Sequence, residues 1–190
     1  MVTADRPTPL PPIEILDRIS AGIFAATVAP LFEGAPRFLG RLAVARPFGS
    51  LGELFERAKE IAHAMPVAEQ LELIDAHPRL GAPPASVSAM SFVEQGYERE
   101  AAERAAHDAV AERNRVAGEQ DRLNAAYEER FGFRYCVFVA GRSRAELLPG
   151  MLAALGAARS TEISRALDAV IDIARDRAAR LGTARTERTP

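Results

Sequence analysis

Apolar positions along this chain recur mostly at the three- and four-residue spacing of amphipathic helices. After Pro11-Pro12, the residues Ile15, Ile19, Ile23, Phe24, Val28 and Leu31 fall largely on one stripe, which predicts a helix over 13–32. Pro36 and Pro47 bracket a short helix over 37–44. Ser50 followed by Glu53 has the capping-box arrangement and opens a helix over 51–64, which stops before Pro66. The next helix, 67–76, closes at His77-Pro78, because proline disfavours the α conformation in the residue before it. Adjacent prolines make 81–88 a loop. A polar stretch rich in Ala, Glu and Arg predicts a long helix from Met90 to about Arg115, with Gly118 expected to break it before a second helix over 119–130. Helices over 143–155 and 161–181 close the pattern.

Phe133 to Val139 is the one β-like run, rich in aromatic and β-branched residues. A single short run cannot make a sheet. The expectation is therefore an all-α fold: a single-domain bundle of about eight helices, with 133–139 as an extended segment or irregular helix crossing the core. The domain is expected over 13–181, between flexible segments at 1–12 and 182–190.

Composition narrows the function classes. Among 190 residues, 48% are hydrophobic and 26% charged, an ordinary globular balance, and the net charge is −2. Acids and bases are interspersed, unlike the basic stripe of a nucleic-acid binder. No run approaches the ~18 apolar residues of a membrane span. The Pro-rich start lacks the basic and apolar regions of a signal peptide, and the final residues are not a peroxisomal tripeptide. One cysteine, Cys136, rules out an intrachain disulfide and suits a reducing compartment. A cytoplasmic protein without nucleic-acid or membrane partners is expected.

The candidate chemistry centres on His77-Pro78-Arg79-Leu80-Gly81 and on Ser91-Phe92-Val93-Glu94-Gln95. A histidine titrates nearest neutrality and is the best available proton shuttle here. Asp75 precedes His77, Pro78 locks its exit, and Gly81 permits a tight turn near a ligand. The competing reading is a helix-terminal histidine that meets the macrodipole. Ser91, Glu94 and Gln95 share a helix face, although Ser91 with Glu94 also reads as a capping box. The other histidines, His63 and His107, make no ligand spacing with His77; His107 is expected in solvent, and no metal site is expected. The run after Phe131-Gly132-Phe133 reads as core, or as backbone donors and acceptors beside a pocket. Arg177, near Arg175 and Arg180, belongs to a solvated basic face or is a bidentate carboxylate clamp.

Together these strings resemble the 2-oxo-4-hydroxy-4-carboxy-5-ureidoimidazoline (OHCU) decarboxylase family of urate degradation, over about Ile13 to Leu181. The marks are Leu31-Phe32-Glu33 with Pro36-Arg37-Phe38, Arg46-Pro47-Phe48, the His77 and Ser91 strings, Leu123-Asn124 with Tyr127, Phe131-Gly132-Phe133, and Ile173 with Arg177. The chain departs from the family pattern at Ala154-Leu155-Gly156-Ala157 and in a longer stretch over 96–123.

The resemblance implies a cofactor-free all-α carboxy-lyase, usually a homodimer, that converts OHCU to (S)-allantoin. It implies catalytic roles for His77 and Glu94. It further implies substrate contacts from Pro78, Ser91, Phe92, Val93, Glu94, Gln95, Tyr135, Cys136, Val137, Phe138, Val139 and Arg177. His77 is expected to handle the hydroxyl proton and Glu94 to hold N–H groups, with Ser91 and Gln95 fixing orientation and Arg177 orienting an anion or carbonyl. The alternatives are a paralogue acting on another small ureide or keto acid, or a helical interaction module without catalysis.

Overall fold

A computed structural model describes the backbone of residues 9–96 and 107–186, with side chains described over 9–96 and 110–182. Its described residues form nine α-helices and no strand. The helices are α1 (Ile13–Leu16), α2 (Ala21–Val28), α3 (Pro36–Val44), α4 (Leu51–Ala64), α5 (Val67–Ala76), α6 (Ala89–Glu94), α7 (His107–Phe131), α8 (Arg144–Ala154) and α9 (Arg159–Thr186). Short 3-10 turns occupy Ala29–Phe32 and Pro84–Ser86.

The all-α reading agrees with this architecture, and the helices over 51–64 and 67–76 start and stop where the capping and proline signals place them. Ser50 accepts from the Glu53 N–H at 3.1 Å, and His77 leaves the helix with ψ 139°. Ser143 and Glu146 form a full capping box at the start of α8.

Three element predictions are corrected by the structure. The single helix over 13–32 is divided into α1, α2 and a 3-10 turn. Arg46 donates to the carbonyls of Leu16 at 3.0 Å and Ile19 at 2.6 Å, taking acceptors that a continuous helix would use. Ser20 then caps α2. Ile15 and Ile23, expected on the buried stripe, are exposed, while Phe24, Val28 and Leu31 are buried.

The long helix from Met90 ends at Glu94, because Gly96 takes the left-handed conformation (φ 74°) that stops helices. Residues 97–106 lie outside the described part, as does the His107 side chain, whose expected exposure falls there. Gly118 does not break α7. Its cost of ~1 kcal/mol relative to alanine is small beside the buried stripe of Val116, Gln120, Leu123, Asn124 and Tyr127.

The segment 133–139 is neither helix nor strand, and side chains satisfy its backbone in place of a neighbouring strand. Arg134 N donates to Asp75 Oδ1 at 2.8 Å, Arg165 to the Cys136 carbonyl at 2.8 Å and Arg142 Nε to the Val139 carbonyl at 3.0 Å. Buried peptide groups must be satisfied somewhere, and here guanidinium groups do much of it. An aromatic cluster of Tyr127, Phe131, Phe133 and Tyr135 packs beneath the segment.

The axis of the fold is α9, which packs on α4, α5 and the 3-10 turn at Ala29–Phe32. Ile163, Ala166, Leu167, Val170, Ala174, Ala178 and Leu181 form its buried stripe. Arg177 lies in the same register with 1% of its surface exposed.

Because α7 is continuous and a Cβ at Gly118 would meet nothing within 4 Å, Gly118→Ala should stabilise the protein by ~0.5–1 kcal/mol. Urea denaturation checks this; an unchanged or lowered midpoint would contradict a continuous, solvent-facing helix at that position.

Candidate active site

Four segments meet around one hollow: the α5 C-terminus with its exit loop, α6, the irregular segment 135–140, and α9. Counted with its open mouth, the hollow has a volume of about 480 Å³. His77 and Pro78 line it from the first segment; Ser91, Glu94 and Gln95 line it from the second; Tyr135, Cys136, Val137, Phe138 and Val139 from the third; and Arg177 from the fourth.

Two expected contacts are corrected. Phe92 and Val93 do not line the hollow. Ser91, Glu94 and Gln95 share the inward face by the i, i+3, i+4 rule, and the two residues between them point elsewhere at about 100° per residue. Val93 is exposed.

His77 is buried, and its two nitrogens have different surroundings. Nδ1 is 3.2 Å from the Leu73 carbonyl. A carbonyl only accepts, so Nδ1 must carry the hydrogen and Nε2 the lone pair. Nε2 is buried and meets no hydrogen-bond partner among the described residues. Burial first, and the Arg177 charge second, lower the pKa of His77 to about 4 against weaker opposition from Glu33 and the Leu73 carbonyl. The ring is therefore neutral at neutral pH and presents a basic nitrogen. The nearby Asp75 is engaged elsewhere: it accepts from Arg134 N, while Arg134 Nη1 donates to the carbonyls of Asp75 and His77.

Arg177 forms the clamp its residue type suggested, but closes it on the protein. Nε donates to Glu94 Oε1 at 2.6 Å and Nη2 to Glu94 Oε2 at 2.8 Å, a bidentate pair. Nη2 also meets Glu33 Oε1 at 2.8 Å and Ser91 Oγ at 3.0 Å. Nη1 donates to the carbonyls of Pro30 at 2.8 Å and Leu31 at 3.3 Å. The solvated basic face is thus excluded for Arg177, and its five donors are all engaged.

Glu33 completes this network. Its Oε1 accepts from the hydroxyls of Ser91 at 2.7 Å and Ser88 at 2.8 Å. Burial pushes the Glu33 pKa up, but Arg177 and the two hydroxyls outweigh it and hold the carboxyl below its usual range. For Glu94 burial prevails: its pKa is raised despite the pull of Arg177 and Arg180. The α6 N-cap is Ser88, whose Oγ accepts from Ser91 N at 3.1 Å. Ser91 is therefore not the cap, and its hydroxyl is free of that duty to join Glu33 and Arg177.

Gln95 ties the α6 wall to the exit loop of α5. Its Oε1 accepts from Gly81 N at 2.8 Å. Gly81 has φ 81°, a conformation that calls for glycine, and a Cβ there would also displace the end of the Gln120 side chain, whose Oε1 would lie 2.8 Å away. Cys136 lines the hollow as a thiol: burial raises its pKa to about 12, which removes it as a nucleophile. His63 pairs with Asp168 at 2.8 Å, beside Lys59, away from this lining. Among the described residues no group of three His, Cys, Asp or Glu side chains is arranged to hold a metal ion.

Leu80, Ala140, Ile173 and Arg180 also line the hollow but were not among the expected contacts. Ile173 and Arg180 stand at i−4 and i+3 from Arg177, so helical spacing alone would have found them. Glu33 stands in one of the strings that carry the resemblance, but no local spacing ties it to Arg177.

Comparison with known proteins identifies the family. The family model of OHCU decarboxylase matches residues 17–179. The uric acid degradation bifunctional protein PucL of Bacillus subtilis is 30% identical over 181 residues, covering 90% of this chain, which spans only about a third (33%) of that protein. The 2-oxo-4-hydroxy-4-carboxy-5-ureidoimidazoline decarboxylase of Haloferax volcanii is 27% identical over 162 residues, covering 85% of this chain and 90% of its own length. A crystal structure of OHCU decarboxylase obtained in the presence of (S)-allantoin superposes with a TM-score of 0.59 at 21% identity, covering 80% of this chain and 94% of that one. At that identity the likeness is one of fold.

The His77 environment generates a pH signature. Its folded pKa, about 4, is depressed below the ~6.5 of an unfolded histidine. The folded state thus resists a proton that the unfolded chain accepts. This advantage is present in full above about pH 6.5 and is lost as pH falls through about 4, an effect of ~3 kcal/mol. Urea titrations from pH 7 to 4 should show the wild type losing that much more stability than His77→Gln. Parallel losses in the two proteins would contradict a buried neutral imidazole.

Proposed function

We propose that this chain, which belongs to the OHCU decarboxylase family, removes CO2 from OHCU and delivers (S)-allantoin in urate degradation. The observation that carries the proposal is His77 Nε2: a buried, neutral base, without a hydrogen-bond partner among the described residues, on the hollow that Glu94 and Arg177 also line. The family relationship supplies the substrate, and the residue chemistry suits it.

In OHCU the carbon that bears the carboxylate also bears a hydroxyl and adjoins a C=N bond. As CO2 leaves, the electrons of the breaking C–C bond form a carbon–carbon double bond, and the imine electrons move onto nitrogen, which takes a proton. The hydroxyl then loses its proton to become a carbonyl, and the adjoining carbon gains one. Two protons are taken up and one released, so the step consumes one proton from solvent. The ring itself is the electron sink.

Neutral His77 has the lone pair needed to take the hydroxyl proton, and Nε2–H can then act as an acid. Glu94 has both oxygens on Arg177, and their remaining lone pairs suit the ring and ureido N–H groups. Its raised pKa makes it a stronger acceptor as the imine nitrogen gains hydrogen. Arg177 serves as a positioning residue that orients Glu94. This differs from the expected contact with a substrate anion, because its donors are already engaged. Gln95 and the backbone of 135–139 border the ring, and the tight exit at Gly81 closes one side.

Stereochemistry follows from the planar intermediate. Its carbon can be protonated on either face in open solvent, giving both enantiomers, whereas a walled hollow leaves one face accessible. A homodimer, as the family resemblance implies, working on this small-molecule substrate in the cytoplasm, as the composition suggests, completes the proposal.

Freshly generated OHCU, followed by optical activity, tests the reading. Wild type should accelerate formation of one enantiomer. His77→Ala should bind allantoin but lose ~10²–10⁴-fold in kcat, and Glu94→Gln should also lose most turnover. Near-normal kcat in His77→Ala would end the assignment. In wild type the acid limb of kcat/KM should lie well below pH 6.5, since the base form of His77 persists to about pH 4.

A further inference from the structure

We propose that Arg180 receives the substrate carboxylate at the mouth of the hollow and thereby selects the acid over its decarboxylated product. This deepens the decarboxylase reading and rests on it. A carboxylate entering the hollow needs a cation, and among the described lining residues two side chains are permanently positive, Arg177 and Arg180.

Arg177 is the poorer candidate. Its guanidinium is 1% exposed and bonded to Glu33, Glu94, Ser91 and two carbonyls. Binding a further anion there would mean breaking charge-assisted bonds of 2.6–2.8 Å in a buried place. With both carboxyls ionised, Glu33 and Glu94 outnumber Arg177 and leave the buried cluster with a negative charge. That charge attracts the N–H edge of a ureide and repels its carboxylate.

Arg180 is placed to take the repelled end. It stands one turn beyond Arg177 on the same side of α9, lines the same hollow, and has 45% of its side chain exposed. The ion pair it makes is with Asp176, at 2.7 Å and one turn back. The pair is exposed at its arginine end and largely covered at Asp176, whose Oδ2 is buried; one such ion pair leaves most of the five donors of Arg180 available. The positive charge of Arg180 also reaches Glu94, whose carboxyl it pulls down.

The reaction itself favours a cation at the rim. During loss of CO2, negative charge leaves the carboxylate and moves into the ring. A dry, tight guanidinium–carboxylate pair would stabilise the ground state more than the transition state and slow the step. A water-screened arginine draws the anion in with little of that penalty. Once CO2 has gone the product is neutral, and its interaction with Arg180 disappears.

Steady-state kinetics with OHCU, together with inhibition by allantoin, test the proposal in wild type, Arg180→Gln and Arg180→Lys. Arg180→Gln should lower kcat/KM by about tenfold, ~1.4 kcal/mol, with the loss falling on KM rather than kcat. Arg180→Lys should recover most of it. Added salt should weaken wild-type kcat/KM and affect Arg180→Gln much less. The inhibition constant of neutral allantoin should not change. An unaltered KM, or equal weakening of OHCU and allantoin, would overturn the role of Arg180 while leaving decarboxylation standing. A wild-type protein inactive on OHCU would sink both.

Discussion

The guanidinium of Arg177 is a full charge with almost no contact with water, and most of the site depends on how that charge is satisfied. Removing such a group from solvent costs several kcal/mol unless its donors find partners. Here the partners of this α9 residue come from two distant parts of the chain: Glu33 with the carbonyls before it, and Ser91 with Glu94 on α6. One ion-pair network therefore fastens the 3-10 turn, the six-residue α6 and the central helix to one another. A helix as short as α6 has little stability of its own, so its position owes much to these contacts.

The same network sets the chemistry of its neighbours. Glu94 is oriented by two parallel bonds and kept basic by burial, while Glu33 takes most of the hydroxyl support and remains readily ionised. His77 stays neutral because burial and the nearby guanidinium both penalise a second positive charge. The Leu73 carbonyl then chooses its tautomer. A base, an acceptor for N–H groups and an uncharged wall thus arise from one buried cluster.

Helix boundaries were legible where local chemistry governs them. Ser50 caps α4, Pro78 ends α5, and Ser143 with Glu146 opens α8; each is an interaction within a few residues. Prediction failed where a distant group intervened. Arg46 takes the carbonyls of Leu16 and Ile19 and so divides the first helix. Gly118 remains helical because its neighbours in α7 are buried. Phe92 and Val93 belong to a matched string, yet the turn of the helix carries them away from the hollow.

The amino-acid order by itself determined which residue types could do acid–base work, that His77 terminates a helix, and that Ser91, Glu94 and Gln95 share a face. It also carried an unused hint: Arg177 falls in the register of the buried stripe of α9, where a charge requires a partner. Only the tertiary structure decided what that partner is. Carboxylates at positions 33 and 94 cannot be brought to an arginine at 177 by any local rule, because their meeting depends on how the 3-10 turn, α6 and α9 pack. That packing turned an expected substrate clamp into an internal brace and moved the available positive charge to Arg180 at the rim.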